Sequence, residues 1–147
     1  MYEFVDRPVT GLDRGGRFLI WSMRNWVKAK GEGRCPVHAI GSAFARWKMT
    51  SGLLPFLRIM ALFNNHGRET FGFCAMGCNH ISEHEAIILS LVCSLQDARP
   101  QDMHTMACLL VEEPQVDDLI LSLSVLGRSL ATASIFPARG VSANGNA

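Results

Sequence analysis

Two cysteines and two histidines lie close together near the middle of the chain. Cys74, Cys78, His80 and His84 form the pattern C-x3-C-x-H-x3-H within eleven residues. Thiolate and imidazole are the ligand types that zinc prefers, and four of them complete a tetrahedral site. The pattern therefore predicts a metal site, with zinc as the first candidate ion and an iron–sulfur cluster as the alternative.

This spacing also allows two readings without a metal. The usual structural zinc sites separate their ligand pairs, whereas here all four candidates are crowded together. In one alternative, the cysteines pack as small apolar side chains and the histidines are exposed polar residues beside a helix start. In the other, Cys78 is an activated thiol paired with His80 or His84, because a helix N-terminus stabilises a thiolate.

A second pair of possible ligands lies earlier in the chain. Cys35 and His38 are three residues apart at the start of a predicted helix, so both side chains can face one point. Taken alone, the pair is more typical of ordinary surface and packing residues. If it faces the later cluster, the chain offers six candidate ligands for the four positions of a zinc site.

The cluster leads directly into the most apolar helix predicted for this chain. Ser82 and Glu85 have the spacing of a capping box, in which each side chain bonds the other residue's backbone amide. The helix is predicted over residues 83–96, and its side chains leave almost no polar face, so we expect it to be buried nearly all round.

The remaining elements predict a compact all-α bundle. Only the segment over residues 68–73 favours an extended conformation, and a single short segment cannot form a sheet. We predict an irregular arm over residues 1–12, a single helical domain over residues 13–136 and a flexible tail over residues 137–147. The predicted helices cover residues 14–30, a stretch that opens at Pro36, and residues 53–64, 83–96, 101–112 and 115–133.

Basic residues are concentrated in the first third of the chain. Residues 1–50 carry nine Lys and Arg against four Asp and Glu, although the net charge of all 147 residues is only +1. Arg17, Arg24 and Lys28 lie along one flank of the first helix, where we expect a solvated face. A less common interpretation of such a flank is a surface that meets phosphate or an acidic partner.

Composition and missing motifs exclude several classes of protein. Hydrophobic residues make up 48% of the chain and charged residues 18%, which suits a globular domain with a large buried fraction or an oligomer interface. No apolar run has the length of a membrane span, and no signal peptide is expected. The phosphate-binding loop, the dinucleotide fingerprint, the serine hydrolase elbow and the zinc protease motif are all absent.

The order of features resembles a group of small bacterial proteins of unknown function. It consists of FLIWSMR in an early helix, then LLPFLRIMALF, a cysteine-containing loop, and IS-x-x-E opening an apolar helix. The similarity covers about residues 17–132, and in that group adjacent cysteines precede a Met-Thr-x-x-Glu-like helix start. Three residues separate Cys74 from Cys78 in this chain. The resemblance implies a helical fold and no particular activity.

Three hypotheses for function follow. The first is a cytoplasmic helical protein whose cysteine–histidine loop binds metal for structure or sensing, and the second is a metal-free interaction protein or a subunit of a complex. The third is a small enzyme with an activated thiol, although no motif favours catalysis. A protein partner or self-association suits the low charge content, whereas a nucleic-acid partner is not expected from a net charge of +1.

Overall fold

Six α-helices form the part of the chain that the structure, a computed structural model, describes, which is residues 3–139. Within this part, sheet pairing is limited to two isolated bridges, Pro8–His80 and Gly67–Val111, so the all-α prediction is confirmed. Short 3-10 helices, Val9–Gly11 and Glu113–Gln115, precede the first and last helices. The helices are α1 (Arg14–Gly31), α2 (Pro36–Arg46), α3 (Thr50–His66), α4 (Glu83–Asp97), α5 (Pro100–Leu110) and α6 (Val116–Thr132). None of the described helices is long and apolar enough to cross a lipid bilayer.

Helix α4 runs through the centre of the bundle. Ten consecutive residues, from Glu85 to Ser94, are buried, and α1, α5 and α6 pack around them. The predicted capping box is present, with Ser82 accepting from the amide of Glu85 and the Glu85 carboxylate accepting from the amide of Ser82. Because the cap satisfies donors that the helix itself leaves unpaired, α4 can start below the surface without losing those hydrogen bonds.

Helix α3 begins earlier than its sequence indicates. The sequence predicts a break at residues 50–52 because proline is tolerated best in the first turn of a helix, but α3 starts at Thr50 and contains Pro55. The reason is close packing on α6: a Cβ atom on Gly52 would lie 2.9 Å from Ser129 Oγ. The hydroxyl groups of Ser51 and Ser129 are also 2.9 Å apart, which ties the first turn of α3 to α6. The predicted break at residues 50–52 is therefore wrong, because these residues form the first turn of α3 and pack on α6.

Both ends of the described chain pack against the bundle. In the predicted arm Phe4 is buried, and the amides of Asp6 and Val9 donate to the carbonyls of Ile81 and Asn79, each at 2.9 Å. At the other end, the amide of Ala138 donates to the Asp13 carboxylate at 2.8 Å. Residues 137–139 of the predicted tail thus have defined contacts, and residues 140–147 lie outside the described part of the chain.

The non-helical segment over residues 68–73 links α3 to the cysteine loop. The amide of Arg68 donates to the carbonyl of Leu110 at 2.9 Å. Further along, the ring of Phe71 stacks between Phe63 and His84, with centroid distances of 4.4 and 4.3 Å. This aromatic stack sets the position from which the chain enters the loop before α4.

We expect Gly15 to be the glycine of α1 that least tolerates a side chain. A Cβ atom at this position would lie 1.7 Å from the backbone oxygen of Ile135, so Gly15→Ala must displace the chain after α6. The variant should lose about 1–3 kcal/mol of unfolding free energy, measured by urea denaturation.

Gly41→Ala is the matched control, because nothing lies within 4 Å of the added methyl group in α2. It should gain about 0.5–1 kcal/mol, since alanine restricts the unfolded chain and favours the helix. Equal stability of the two variants would contradict the close approach of α1 to residue 135.

Candidate functional site

A buried ion pair lies beneath the cysteine loop. Arg24 projects from α1 and Glu85 from the first turn of α4, and their side chains are only 2% and 0% exposed. Nε of Arg24 donates to Oε2 of Glu85 at 2.8 Å, and Nη2 donates to Oε1 at 3.0 Å. This two-point contact is the strong form of an arginine–carboxylate pair, and it offsets part of the cost of removing both charges from water.

The same two side chains also bind the backbone of the loop. Arg24 donates through Nη1 to the carbonyl of Cys78 at 2.6 Å and through Nη2 to that of His80 at 2.8 Å. The Glu85 carboxylate accepts from the amides of Cys74 and Ser82 at 3.1 and 2.9 Å. The hydrogen bond to Glu85 is also the main reason that the pKa of Arg24 is raised above its usual value. The loop is therefore held at four backbone points by one ion pair.

The burial of Arg24 corrects one expectation from the sequence. Of the three residues predicted to form a solvated basic flank, Arg17 and Lys28 are exposed but Arg24 is 3% exposed. One signal was available in the sequence: Ile20 precedes Arg24 by four positions and is a core residue of the same helix face. The capping box predicts the contact of Glu85 with the backbone of Ser82. It does not predict the ion pair of Glu85 with Arg24 across the bundle.

The thiols of Cys74 and Cys78 are neighbours that shift each other's pKa. Burial and, next, the interaction with Cys78 raise the pKa of the Cys74 thiol. The backbone amide of His80, 3.5 Å from Sγ, lowers the pKa of Cys78, and the interaction with Cys74 lowers it further. The pair thus joins a thiol that keeps its proton to a thiol that loses its proton more readily than an ordinary cysteine.

The two histidines of the predicted metal site do not join this pair. Nδ1 of His84 accepts from the amide of Gly72 at 2.7 Å, and Nε2 lies 2.7 Å from Oε1 of Glu69. Because a backbone amide can only donate, Nδ1 carries the lone pair and Nε2 carries the hydrogen that Glu69 accepts. His80 takes part through its backbone, while its exposed imidazole makes no hydrogen bond within residues 3–139.

Cys35 and His38 are both exposed at the start of α2, and no hydrogen bond joins them to the cysteine loop in the described part of the chain. Among residues 3–139, no group of three or more His, Cys, Asp or Glu side chains is arranged to hold a metal ion. Of the six predicted ligands, the structure brings together only Cys74 and Cys78. A metal at this loop stays a prediction.

The remaining cysteines differ in their surroundings from this pair. Cys93 is buried in α4, and that burial raises the pKa of its thiol to about 12. Sγ of Cys108 lies 3.5 Å from Nδ1 of His104, at the outer side of α5. The five cysteines are all free thiols.

Comparisons of the chain with protein-family models, with curated proteins and with solved structures find no match.

We expect Arg24→Met to destabilise the fold strongly. The substitution keeps a side chain of similar length but leaves the Glu85 carboxylate buried without its charged partner. Breaking one side of a buried pair costs about 3–5 kcal/mol, which urea denaturation would show as a lower midpoint.

Arg58→Met is the matched control, because Arg58 pairs with Asp118 at the surface and its side chain is 54% exposed. Its loss should cost less than about 1 kcal/mol. Changing both Arg24 and Glu85 to Met should restore part of the loss, since no unpaired charge is then left inside. Similar costs for Arg24→Met and Arg58→Met would rule out a central role for the buried pair.

Proposed function

We propose that this protein is a thiol-based sensor whose responsive element is the Cys74–Cys78 pair. The observation that carries the proposal is a loop that the Arg24–Glu85 pair holds by the backbone of both Cys74 and Cys78. The two thiols of this loop also shift each other's pKa. Two cysteines fixed at the ends of one turn can form a bond to each other or share a ligand. Because thiols stay reduced in the cytoplasm, the proposal also assigns the protein to that compartment.

Oxidation of the pair by a peroxide is the form of sensing that this geometry favours most. The Cys78 thiolate attacks one oxygen of hydrogen peroxide, the O–O bond breaks, and water leaves after protonation, so that Cys78 becomes a sulfenic acid. Cys74 then attacks the Cys78 sulfur, the S–O bond breaks, and a second water leaves as the disulfide forms. Two thiols are oxidised and one peroxide is reduced to two waters.

The two cysteines suit different roles in this reaction. A lowered pKa gives Cys78 a larger thiolate fraction near neutral pH, and the thiolate is the nucleophile. Cys74 is the more shielded thiol, which leaves it for the second step, where its proton passes to the hydroxide that leaves the Cys78 sulfur. Residues 75–77 between them are exposed, and the amide of Cys78 donates to the carbonyl of Ala75 at 3.1 Å, so a single turn separates the two thiols.

The surroundings of the loop offer a route for a signal. The carbonyl of Asn79 accepts from Val9, and Pro8 and His80 form an isolated bridge, so the N-terminal arm rests on the loop. A disulfide would pull the Cys78 end of the turn toward Cys74 and shift the backbone that the arm contacts. The proposed output is therefore a changed position of the arm.

Metal binding at the same pair is the second candidate function, and the placement of both cysteines in one fixed loop favours it as well. Zinc or an iron–sulfur cluster takes thiolate ligands, and the exposed imidazole of His80 lies two residues from Cys78. Before His84 could bind a metal, its ring would have to give up its hydrogen bonds with Gly72 and Glu69.

For a zinc sensor, elemental analysis of protein purified without a metal-affinity tag should find about one equivalent of zinc, and Cys78→Ser should lose it. Several equivalents of iron would identify a cluster instead. Metal-free protein that binds no added zinc would remove this candidate and leave the peroxide sensor.

For the peroxide sensor, we expect Cys78 to react fastest with iodoacetamide among the five thiols, and its rate should reach a plateau at a lower pH than that of an ordinary cysteine. The reason is its lowered pKa, which raises the thiolate fraction at any pH below the usual value. Mass spectrometry of peptides after short labelling at several pH values would measure this order. Cys74→Ala should slow the Cys78 reaction, because the interaction with Cys74 contributes to the lowered pKa of Cys78.

After treatment with hydrogen peroxide, the unfolded protein should show three free thiols instead of five, with the disulfide mapped to Cys74 and Cys78. Cys108→Ser is the matched control, since this thiol lies outside the loop and its loss should leave the disulfide unchanged. A folded protein that keeps all five thiols in peroxide, or that labels Cys78 no faster than Cys108, would refute the sensor.

A further inference from the structure

The exposed side of α1 carries a groove that the thiol site does not use. A cavity of about 410 Å³ lies between the start of α1 and the end of α2. We call it the basic groove. Its lining consists of Arg14, Arg17, Trp21, Arg46 and Trp47, together with Phe18 and Ala43.

The basic groove holds an excess of positive charge. Arg14, Arg17 and Arg46 are exposed, no Asp or Glu lines the cavity, and none of the three forms an ion pair within residues 3–139. Elsewhere on the described surface, the arginines that carry a carboxylate partner are Arg34, Arg58, Arg99 and Arg139. Three guanidinium groups without a counter-charge at a single cavity form a site for an anion, because each offers a planar set of donors to phosphate or carboxylate.

Two tryptophans add flat apolar surface to the same cavity. The ring of Trp47 packs against Phe18 at a centroid distance of 5.1 Å and has the Arg14 guanidinium over it, also at 5.1 Å. Trp21 is half-buried, and its ring has no aromatic or cationic partner in the described part of the chain. Trp21 thus offers a surface on which a ligand ring can stack.

The groove continues beyond this cavity in both directions. On one side, a cavity of about 250 Å³ shares Arg14, Arg46 and Trp47 with it and adds Lys48. On the other side, a cavity of about 440 Å³ shares Arg17 and Trp21 and extends to Cys78. Arg14 and Arg46 therefore lie toward the end far from the thiols, and Arg17 and Trp21 lie between the two ends.

We propose that the basic groove binds a nucleotide, with its base on Trp21 and its phosphates between Arg14, Arg17 and Arg46. A nucleotide uses both parts of the lining. Phosphate alone makes no use of the free face of Trp21, and an uncharged aromatic ligand makes no use of the three guanidinium groups. The volume also lies within the range of about 300–1,000 Å³ for small-molecule sites. The proposal does not rest on the thiol sensor.

The test uses the full chain and ADP labelled with the methylanthraniloyl fluorophore, followed by fluorescence anisotropy. We expect saturable binding with a Kd below about 1 mM, weaker at high salt because exposed charges are screened. Unlabelled ADP should displace the probe at lower concentrations than adenosine or inorganic phosphate, since each of these fills only half of the site.

Single substitutions separate the two parts of the site. Arg17→Gln and Arg46→Gln should each weaken binding about tenfold, the usual effect of losing a hydrogen bond between charged groups. Trp21→Leu should weaken binding about fivefold or more through lost stacking. Arg128→Gln is the matched control: it removes the same charge from an exposed position on α6 that lines no part of the groove.

Thermal melts would confirm that each variant is folded. Absence of saturable binding, or an equal loss in Arg17→Gln and Arg128→Gln, would overturn the proposal. Binding of an eight-residue oligothymidylate through the same residues without binding of ADP would also overturn it, because the occupant would then be a strand. Replacing Cys74 and Cys78 with Ser should leave binding of ADP unchanged, so failure of one proposal does not affect the other.

Discussion

The Arg24–Glu85 ion pair is the constraint on which the rest of the site depends. Two charges with almost no exposure to water must have every donor and acceptor satisfied, or the fold loses the energy of an uncompensated charge. The two side chains satisfy one another only in part. The remaining partners are backbone groups of the cysteine loop, so the loop takes the place of solvent around the pair. Helix α1 can therefore pack stably against α4 only when the irregular cysteine loop adopts this conformation.

This arrangement explains why the two cysteines are fixed in position while the turn between them is exposed to solvent. Cys74 and Cys78 each contribute one backbone group to the ion pair, which sets the positions of both ends of the turn. Residues 75–77 make no such contact and face solvent. The unequal pKa shifts of the two thiols then follow from local surroundings: Cys74 is the more buried thiol, and Cys78 lies against an amide donor. A rigid base with an accessible pair of thiols is what reversible thiol chemistry requires.

Helix α1 gives the molecule two polar surfaces with different chemistry. Its inner side presents Arg24 to the loop, and its outer side presents Arg17 and Trp21 to the basic groove. The neighbouring cavity shares Arg17 and Trp21 with the groove and reaches Cys78, so the two surfaces adjoin along the helix. The concentration of basic residues in the first third of the sequence is thus divided between a buried structural role and an exposed surface.

Local signals in the sequence determined the elements of this fold. The capping box of α4 spans three residues, and Pro36 and Pro100 open helices at the first position, where a missing amide costs nothing. These signals act between neighbours along the chain, so the all-α class and the start of α4 could be predicted without any tertiary contact. The close spacing of Cys74 and Cys78 in the sequence likewise identified this loop as a candidate site.

Tertiary contacts decided the rest, and each involves residues far apart in the sequence. Arg24 is buried because Glu85, 61 positions later, reaches it across the bundle, and no window of sequence around Arg24 contains that partner. Helix α3 starts ahead of Pro55 because Gly52 fits closely against Ser129 of α6. His84 is separated from the cysteines because Gly72 and Glu69 bind both nitrogens of its ring. Spacing along the chain indicated which side chains share a helix or a loop, and hydrogen bonds between distant segments decided which of them meet.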